Sequence, residues 1–328
     1  MKVKFLIIRF SSIGDIVLTS PVIRCLKEQV TGAEIYFVVK EKYAEILKAN
    51  PHIKRVFLYK DKITPLLKEL EKVQFDYIID LHMNIRSNRI KRWLKIPGFS
   101  FDKLNFKKWL LVNFKVDRLP KKHIVDRYLE TVKVFDVKND EKGLDYFIPG
   151  NQHFDYKSLP EVFQNGYIAF CIAGSYQTKK LPPEKIIAIC RKLPYPIVLL
   201  GGNREKPVGD SIAGLFSESV VNLCDKISLN ESALLVGNAR LVLTNDTGMM
   251  HIAAAFRKKI LSFWGNTVPG LGMYPYLPDP VSKIMQVDGL KCRPCSKLGF
   301  DKCPKKHFRC MNDIDVEEVA GWVHENFR

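Results

Sequence analysis

Short runs of apolar, mostly β-branched or aromatic residues alternate with segments of helical period through both halves of the chain, the pattern of βα units around parallel sheets. In the first half, Lys4–Arg9, Glu34–Val39, Arg55–Tyr59 and Asp76–Asp80 read as strands, and Asp15–Gln29, Tyr43–Lys48 and Thr64–Lys72 as helices. The second half restarts the alternation with strands Tyr167–Ile172, Pro196–Leu200, Val220–Leu223, Arg240–Thr244 and Lys259–Phe263, and a helix over Val316–Phe327 closes the chain. Between the halves, Asp145–Gly166 holds Pro149, Gly150, Pro160 and Gly166 without sustained periodicity, which marks a domain junction. Two open α/β domains facing each other would put a ligand cleft at the carboxyl ends of their strands. Candidate chemistry therefore falls in the strand-to-helix turns.

A length of 328 residues, 46% hydrophobic and 27% charged, fits a globular chain of two domains and excludes disorder, collagen and coiled coil. Runs such as Phe5–Ile8 and Ile197–Leu200 are strand-sized, far below the roughly 20 apolar residues of a membrane span. Met1–Phe10 leads directly into a β-rich run and lacks the cleavage pattern of a secretory signal, so the expected compartment is the cytosol. There, eight cysteines do not read as a disulfide framework.

Charge changes the picture more. Lys and Arg number 52 against 35 Asp and Glu, a net +17 that points to a polyanionic partner: nucleic acid, an anionic membrane surface or a phosphorylated substrate. Residues 1–150 carry 30 basic and 18 acidic side chains, net +12, and residues 151–328 only +5. Within Arg86–Arg127, 13 cations face Asp102, Asp117 and Asp126 alone.

Three turns carry candidate chemistry. Arg9-Phe10-Ser11-Ser12-Ile13-Gly14-Asp15 follows the first strand; Ser12 or Asp15 would cap a helix, or Asp15 would serve as a general base. Leu241–His251 runs a strand into a helix whose start, Thr247 and Gly248, offers unpaired amides and the positive dipole end to a phosphate, with His251 one turn on. Its Asp246-Thr247-Gly248 also occurs in aspartic proteases, but those need an all-β fold and a second such aspartate. Ala173–Glu184 is a further loop, where Lys179 and Lys180 are either surface lysines or diphosphate ligands and Pro182-Pro183 suits a helix start.

Together these segments resemble glycosyltransferase family 9, the ADP-heptose:lipopolysaccharide heptosyltransferases. The resemblance spans nearly the whole chain: Ser11-Ser12-Ile13-Gly14-Asp15 with Pro21, Asp80-Leu81-His82 with Arg86-Ser87, Lys179 and Pro182, Gly201-Gly202 with Glu205, Ser228-Leu229, Asp246-Thr247-Gly248 with His251, and Gly265-Asn266-Thr267. It implies the α/β GT-B fold, two Rossmann-like domains facing a central cleft. The acceptor-binding domain would be 1–155, the nucleotide-sugar domain 156–312, and 313–328 a helix crossing back to the first domain. Asp15 matches the family's proposed base and Lys179 its diphosphate-contacting lysine, although Leu181 replaces the tryptophan of Lys-x-Trp-Pro. Ser175 matches a hydroxyl near the diphosphate, Glu205 a nucleoside-side glutamate, and Ile227 a residue of the adenine pocket. Asp246 would meet donor sugar hydroxyls, with Thr247 and Gly248 on the phosphate and His251 nearby. Ser11, Ser12 and Gly14 lie on the acceptor side, where Arg86, Arg89 and Arg92 would bind anions.

The reaction so implied is an inverting transfer of a sugar, by analogy heptose from ADP-heptose, onto a lipopolysaccharide core or lipid A precursor. No cofactor is required, because Lys179 and the helix start at Thr247 and Gly248 would stabilise the leaving diphosphate; the one acidic Asp-x-Asp, Asp313-Ile314-Asp315, reads as a cap. The expected partners are a nucleotide sugar, an anionic glycolipid and the cytoplasmic surface of the inner membrane, to which a cytoplasmic chain would bind peripherally. Nucleic acid is not expected, since Asp15 and Asp246 suit phosphates poorly and no recognised module is present. A GT-B-like sugar-nucleotide epimerase or hydrolase is the rival enzyme.

Two further features stay open. Cys292, Cys295, Cys303 and Cys310 fall within 19 residues, with His307 among them, and read either as a structural zinc or bridging cluster or as free thiols; Cys25, Cys171, Cys190 and Cys224 read as core thiols. Lys103–Lys115 mixes Phe106, Trp109, Leu110 and Phe114 with cations, which suits either a core-packed helix with a solvated lysine face or one docking on an anionic leaflet or on a phosphorylated lipid acceptor.

Overall fold

The computed structural model describes residues 2–327. It divides into two compact units, one formed by residues up to Leu104 together with Lys122–Pro149, the other by Asn105–Lys121 together with Gly150 onward. Each is built on one parallel sheet.

The first unit carries strands β1 (Val3–Ile8), β2 (Ala33–Lys40), β3 (Ile53–Tyr59), β4 (Tyr77–Asp80) and β5 (Gly98–Ser100) in the order β3-β2-β1-β4-β5. Every pair is parallel. The central strand β1 is apolar throughout its buried half, since a strand covered by helices on both faces has no polar side. Its helices are α1 (Ile13–Val17), α2 (Ser20–Gln29), α3 (Ile63–Glu71) and α4 (Ile85–Leu94), with α6 (Ile124–Leu129) returning after the excursion of α5 (Asn105–Phe114) into the second unit. Leu6, Ile8, Val38, Phe57, Leu66, Leu70, Ile78 and Ile90 form a core that β1–β4 share with α3 and α4.

One long helix over Asp15–Gln29 is expected; the chain makes two, α1 and α2. Thr19 and Ser20 turn their hydroxyls onto the Ile16 and Val17 carbonyls at 2.7 Å each, and Pro21 lacks the amide a continuous helix would use. The expected helix at Tyr43–Lys48 is a 3-10 segment over Glu41–Ile46.

The second unit has β6 (Ile168–Cys171), β7 (Ile197–Leu200), β8 (Val220–Asn222), β9 (Leu241–Asn245), β10 (Ile260–Trp264) and β11 (Lys283–Gln286), ordered β11-β10-β9-β6-β7-β8 and parallel throughout. Its helices are α7 (Pro183–Lys192), α8 (Lys206–Leu215), α9 (Leu229–Asn238), α10 (Gly248–Ala255), α11 (Arg309–Asn312) and α12 (Val316–Asn326). Asp315 caps α12, accepting from the amides of Glu317 and Glu318 at 2.9 and 3.3 Å, as its position predicts. This helix, expected to cross back to the first domain, lays Val319, Ala320, Trp322 and Val323 into the core of the second unit. Among the described residues, no helix is long and apolar enough to cross a membrane.

Candidate functional site

In the first unit the carboxyl ends of the strands gather a charged cluster around Asp15. The turn after β1 makes a capping box: Ser12 donates to Asp15 Oδ2 from its backbone nitrogen (3.1 Å) and its hydroxyl (2.8 Å). The other oxygen, Oδ1, lies 2.5 Å from the Arg9 guanidinium, so Asp15 both caps α1 and pairs with a cation. Burial alone would raise the Asp15 pKa, but the charge of Arg9 and the Ser12 hydrogen bonds outweigh it and hold the carboxyl below its usual range. Asp15 keeps 24% of its side chain exposed, enough to touch a ligand.

Arg9, not singled out by its position in sequence, organises this cluster. It is 9% exposed and also donates to the carbonyls of Ser11 and Leu81 and to the Tyr128 hydroxyl. His82, on the turn after β4, packs edge-on against Phe10 with ring centroids 5.3 Å apart. Its Nδ1 is buried without a hydrogen-bond partner. Burial, then the cations Arg9 and Lys103, push its pKa down to about 4, so the imidazole is neutral at pH 7. Asp80 fixes that turn, accepting from the amides of His82 and Met83 at 3.0 and 2.7 Å and pairing with Lys91 at 3.1 Å.

Beside these lie the cations expected for an anionic ligand. Arg86 and Arg89 line one crevice of about 340 Å³ with Tyr59, Lys62 and Asp61; Arg86 lines a second of about 460 Å³ with Lys40, Lys42 and Lys60, beside Glu41 and Asp61. The Arg86 guanidinium stands 5.4 Å from the centre of the Tyr59 ring. Arg92 is exposed on α4, where the helical repeat of roughly 100° per residue carries it about 120° round from Arg86. Ser11 is half-buried, Ser12 exposed and Gly14 buried in α1.

In the second unit the expected residues follow successive strands: Ser175 after β6, Glu205 after β7, Ile227 after β8, Asp246–Gly248 after β9. Ligands of open α/β sheets bind at this edge. Lys179 Nζ lies 2.6 Å from Asp246 Oδ2, which also accepts from the Thr267 hydroxyl at 2.9 Å. Lys180 pairs with Glu205 at 2.8 Å, and Glu205 accepts from the Gly202 amide at 3.1 Å. Thr247 stands at the N-cap position of α10 without a capping bond from its side chain, Gly248 is the first helical residue, and His251 is buried one turn on. Ser175 is exposed on its loop, and Ile227 is half-buried ahead of α9. Leu181, in place of the family's tryptophan, is buried in the core and donates its amide to Asn245 Oδ1 at 3.1 Å.

The Thr247 hydroxyl and both amide atoms of Asn266 are buried with no hydrogen-bond partner, although Asn266 is only 2% exposed. Such groups cost on the order of 1–3 kcal/mol each unless a ligand satisfies them. Gly265 lets the Asn266 loop pass close to the lysine loop: a Cβ there would come within 2.5 Å of the Thr178 carbonyl oxygen.

The late cysteines lie beside this edge. Cys292 Sγ is 3.8 Å from His307 Nε2, Cys295 donates to the Cys292 carbonyl at 3.0 Å, and Cys310 is buried in the core. All eight cysteines are free thiols. Among the described residues no three His, Cys, Asp or Glu side chains are grouped so as to hold a metal ion.

Comparison with known proteins bears on the family and the fold. Residues 63–298 match the model of glycosyltransferase family 9 (heptosyltransferase). The chain is 27% identical to lipopolysaccharide heptosyltransferase 1 of Campylobacter coli, covering 99% of each. Solved structures with the same fold include the E. coli ADP-heptose lps heptosyltransferase II, with TM-score 0.72, 18% identity and 100% and 98% of the two chains covered. Another is E. coli heptosyltransferase WaaC with ADP, with TM-score 0.67, 23% identity and 98% and 99% coverage. The two parallel sheets and these neighbours are those of the GT-B architecture.

Proposed function

This chain belongs to glycosyltransferase family 9, the heptosyltransferases, and from that premise we propose that it moves heptose from ADP-heptose onto an anionic lipopolysaccharide core precursor, by inversion and without a metal. The observation that carries this reading is the donor edge of the second unit. Lys179 and Asp246 meet at 2.6 Å beside the open start of α10, with the Thr247 hydroxyl and the Asn266 amide awaiting partners.

Chemistry follows from the groups present. Asp15, ionised through its contact with Arg9, accepts the proton of an acceptor hydroxyl. The hydroxyl oxygen forms a bond to the anomeric carbon as the bond from that carbon to the diphosphate oxygen breaks. Charge then accumulates on the leaving nucleoside diphosphate. Lys179 and the amides at Thr247 and Gly248 are fixed before the reaction and stabilise that charge, a contribution of about 3–4 kcal/mol for one such donor. Asp246, held by Lys179 and the Thr267 hydroxyl, is the group assigned to the donor sugar hydroxyls. On the acceptor side, Arg86 and Arg89, with the lysines of the neighbouring crevice, suit carboxylates or phosphates of a glycolipid.

The test is direct. Purified protein is given ADP-heptose and a deacylated, water-soluble Kdo-containing acceptor, with and without EDTA, and products are read by mass. Addition of one heptose in both samples supports the proposal. Loss of transfer in EDTA overturns the metal-free mechanism, and the absence of transfer from ADP-heptose and from a panel of other nucleotide sugars overturns the transferase assignment to these groups.

A further inference from the structure

The basic, aromatic segment at 103–115 is an exposed helix rather than a core-packed one. On α5, Phe106, Trp109 and Phe114 are 69%, 50% and 61% exposed, and Leu111 alone is buried. The three rings form one cluster: Phe106 and Trp109 lie near-parallel with centroids 6.1 Å apart, and Phe114 meets Trp109 edge-on at 5.1 Å. A connected aromatic patch of this kind is rarely left to water.

The helix is fixed in place. Lys115 Nζ closes its end, donating to the Val112 carbonyl at 2.7 Å, and also ties it to the second unit through the carbonyls of Pro294 (2.7 Å) and Cys292 (3.3 Å). Leu111 is buried while the rings stay exposed. The surrounding charge selects the partner. Residues 105–121 carry Lys107, Lys108, Lys115, Arg118 and Lys121 against Asp117 alone, and Lys107, Arg118 and Lys121 are exposed. A second copy placed on this face by a twofold axis would bring cations against cations. An anionic bilayer offers the opposite sign together with an apolar layer at the depth where Trp and Phe are stable.

We propose that α5 is a membrane-docking element, inserting Phe106, Trp109 and Phe114 among the lipids of an anionic leaflet while Lys107, Arg118 and Lys121 meet the headgroups. The inference rests on the proposed function only in that a lipid-borne acceptor gives docking its purpose. Basic residues near such a surface each add about 1 kcal/mol of attraction, so binding should fall as salt rises.

Co-sedimentation of the full chain with vesicles of phosphatidylglycerol and phosphatidylethanolamine, against vesicles of phosphatidylcholine alone, tests it. The protein should pellet with the anionic vesicles only. The triple variant Phe106→Ser, Trp109→Ser, Phe114→Ser and the triple variant Lys107→Glu, Arg118→Glu, Lys121→Glu should each bind roughly tenfold or more weakly. In a Trp93→Phe background, Trp109 emission should shift to shorter wavelength on binding, because Trp264 and Trp322 are buried. Both triple variants should transfer to the soluble acceptor at the parental rate, which shows that they fold. Binding to neither vesicle, wild-type binding by the aromatic variant, or conversion of a dimer to a monomer by that variant would overturn docking. Failure of the parent to transfer to the soluble acceptor would instead count against the proposed function and leave the vesicle result standing.

Discussion

Arg9 holds Asp15 by an ion pair of 2.5 Å while Ser12 occupies the other carboxylate oxygen from two donors. The proposed base is thus oriented and ionised but weakly basic. Such a carboxylate takes its proton late, once the acceptor oxygen has begun to bond to the anomeric carbon and its hydroxyl has become acidic.

The pH dependence follows from that pairing. With its pKa depressed, Asp15 is active as the carboxylate above that pKa and is lost only as pH falls through it. The acid limb of kcat/KM should therefore lie below the range of an ordinary aspartate; His82 titrates at about 4. Arg9→Met removes the nearby cation and should move the limb to higher pH, while His82→Gln separates the imidazole from it. A pH–rate profile unchanged in Arg9→Met would show that Arg9 does not tune the base. Asp15→Asn should lower turnover by about 10²- to 10⁴-fold with ADP affinity retained, as read by calorimetry.

On the donor edge, Lys179→Ala should lower kcat by about 10²- to 10³-fold, the scale of losing one preorganised charge-stabilising donor. Because Lys179 and Asp246 share a contact, the effects of Lys179→Ala and Asp246→Ala should not add. A double-mutant cycle on kcat/KM that gave simple additivity would show that the two groups act independently.

Strands of both sheets are legible from runs such as Phe5–Ile8 and Ile197–Leu200, because parallel strands buried on both faces are continuously apolar. The edge strands β5 and β11 are not: Gly98–Ser100 is three residues long and largely exposed, so no apolar run marks it. Asp15, Lys179 and Asp246 stand in short local motifs and can be read from them. Arg9 and Tyr128 are 119 residues apart, and the Asn266 loop meets the Thr178 loop only through the fold, so neither partnership leaves a local signal. Exposure of α5 is equally hidden, since its composition suits a buried helix as well as a surface one.

Asn266 separates function from stability. Its amide is buried and unsatisfied, so Asn266→Leu, similar in size and without polar atoms, removes a desolvation cost. Thermal stability should hold or rise, while affinity for ADP or ADP-heptose should fall roughly tenfold through one lost hydrogen bond. Loss of stability with unchanged affinity would make Asn266 a packing residue.

Arg24 provides a test of what holds the first unit together. From α2 it donates to Asp140 through Nε and Nη2 at 2.7 and 2.8 Å, to the Gly143 carbonyl at 2.9 Å, and to Asp145. The guanidinium is buried, so Arg24→Leu leaves two carboxylates without their cation and should cost about 3–5 kcal/mol at pH 7. The sign of the pH dependence is fixed by Asp140, whose pKa is lowered to about 2, first by the hydrogen bond from Arg24. A depressed carboxylate stabilises the fold above its unfolded pKa and loses that stabilisation as pH falls through the folded value. Urea titrations of parent and variant should therefore differ most at neutral pH and converge between about pH 4 and pH 2. An equal difference at both ends would assign the loss to packing of the Arg24 stem, with the ion pairs contributing nothing.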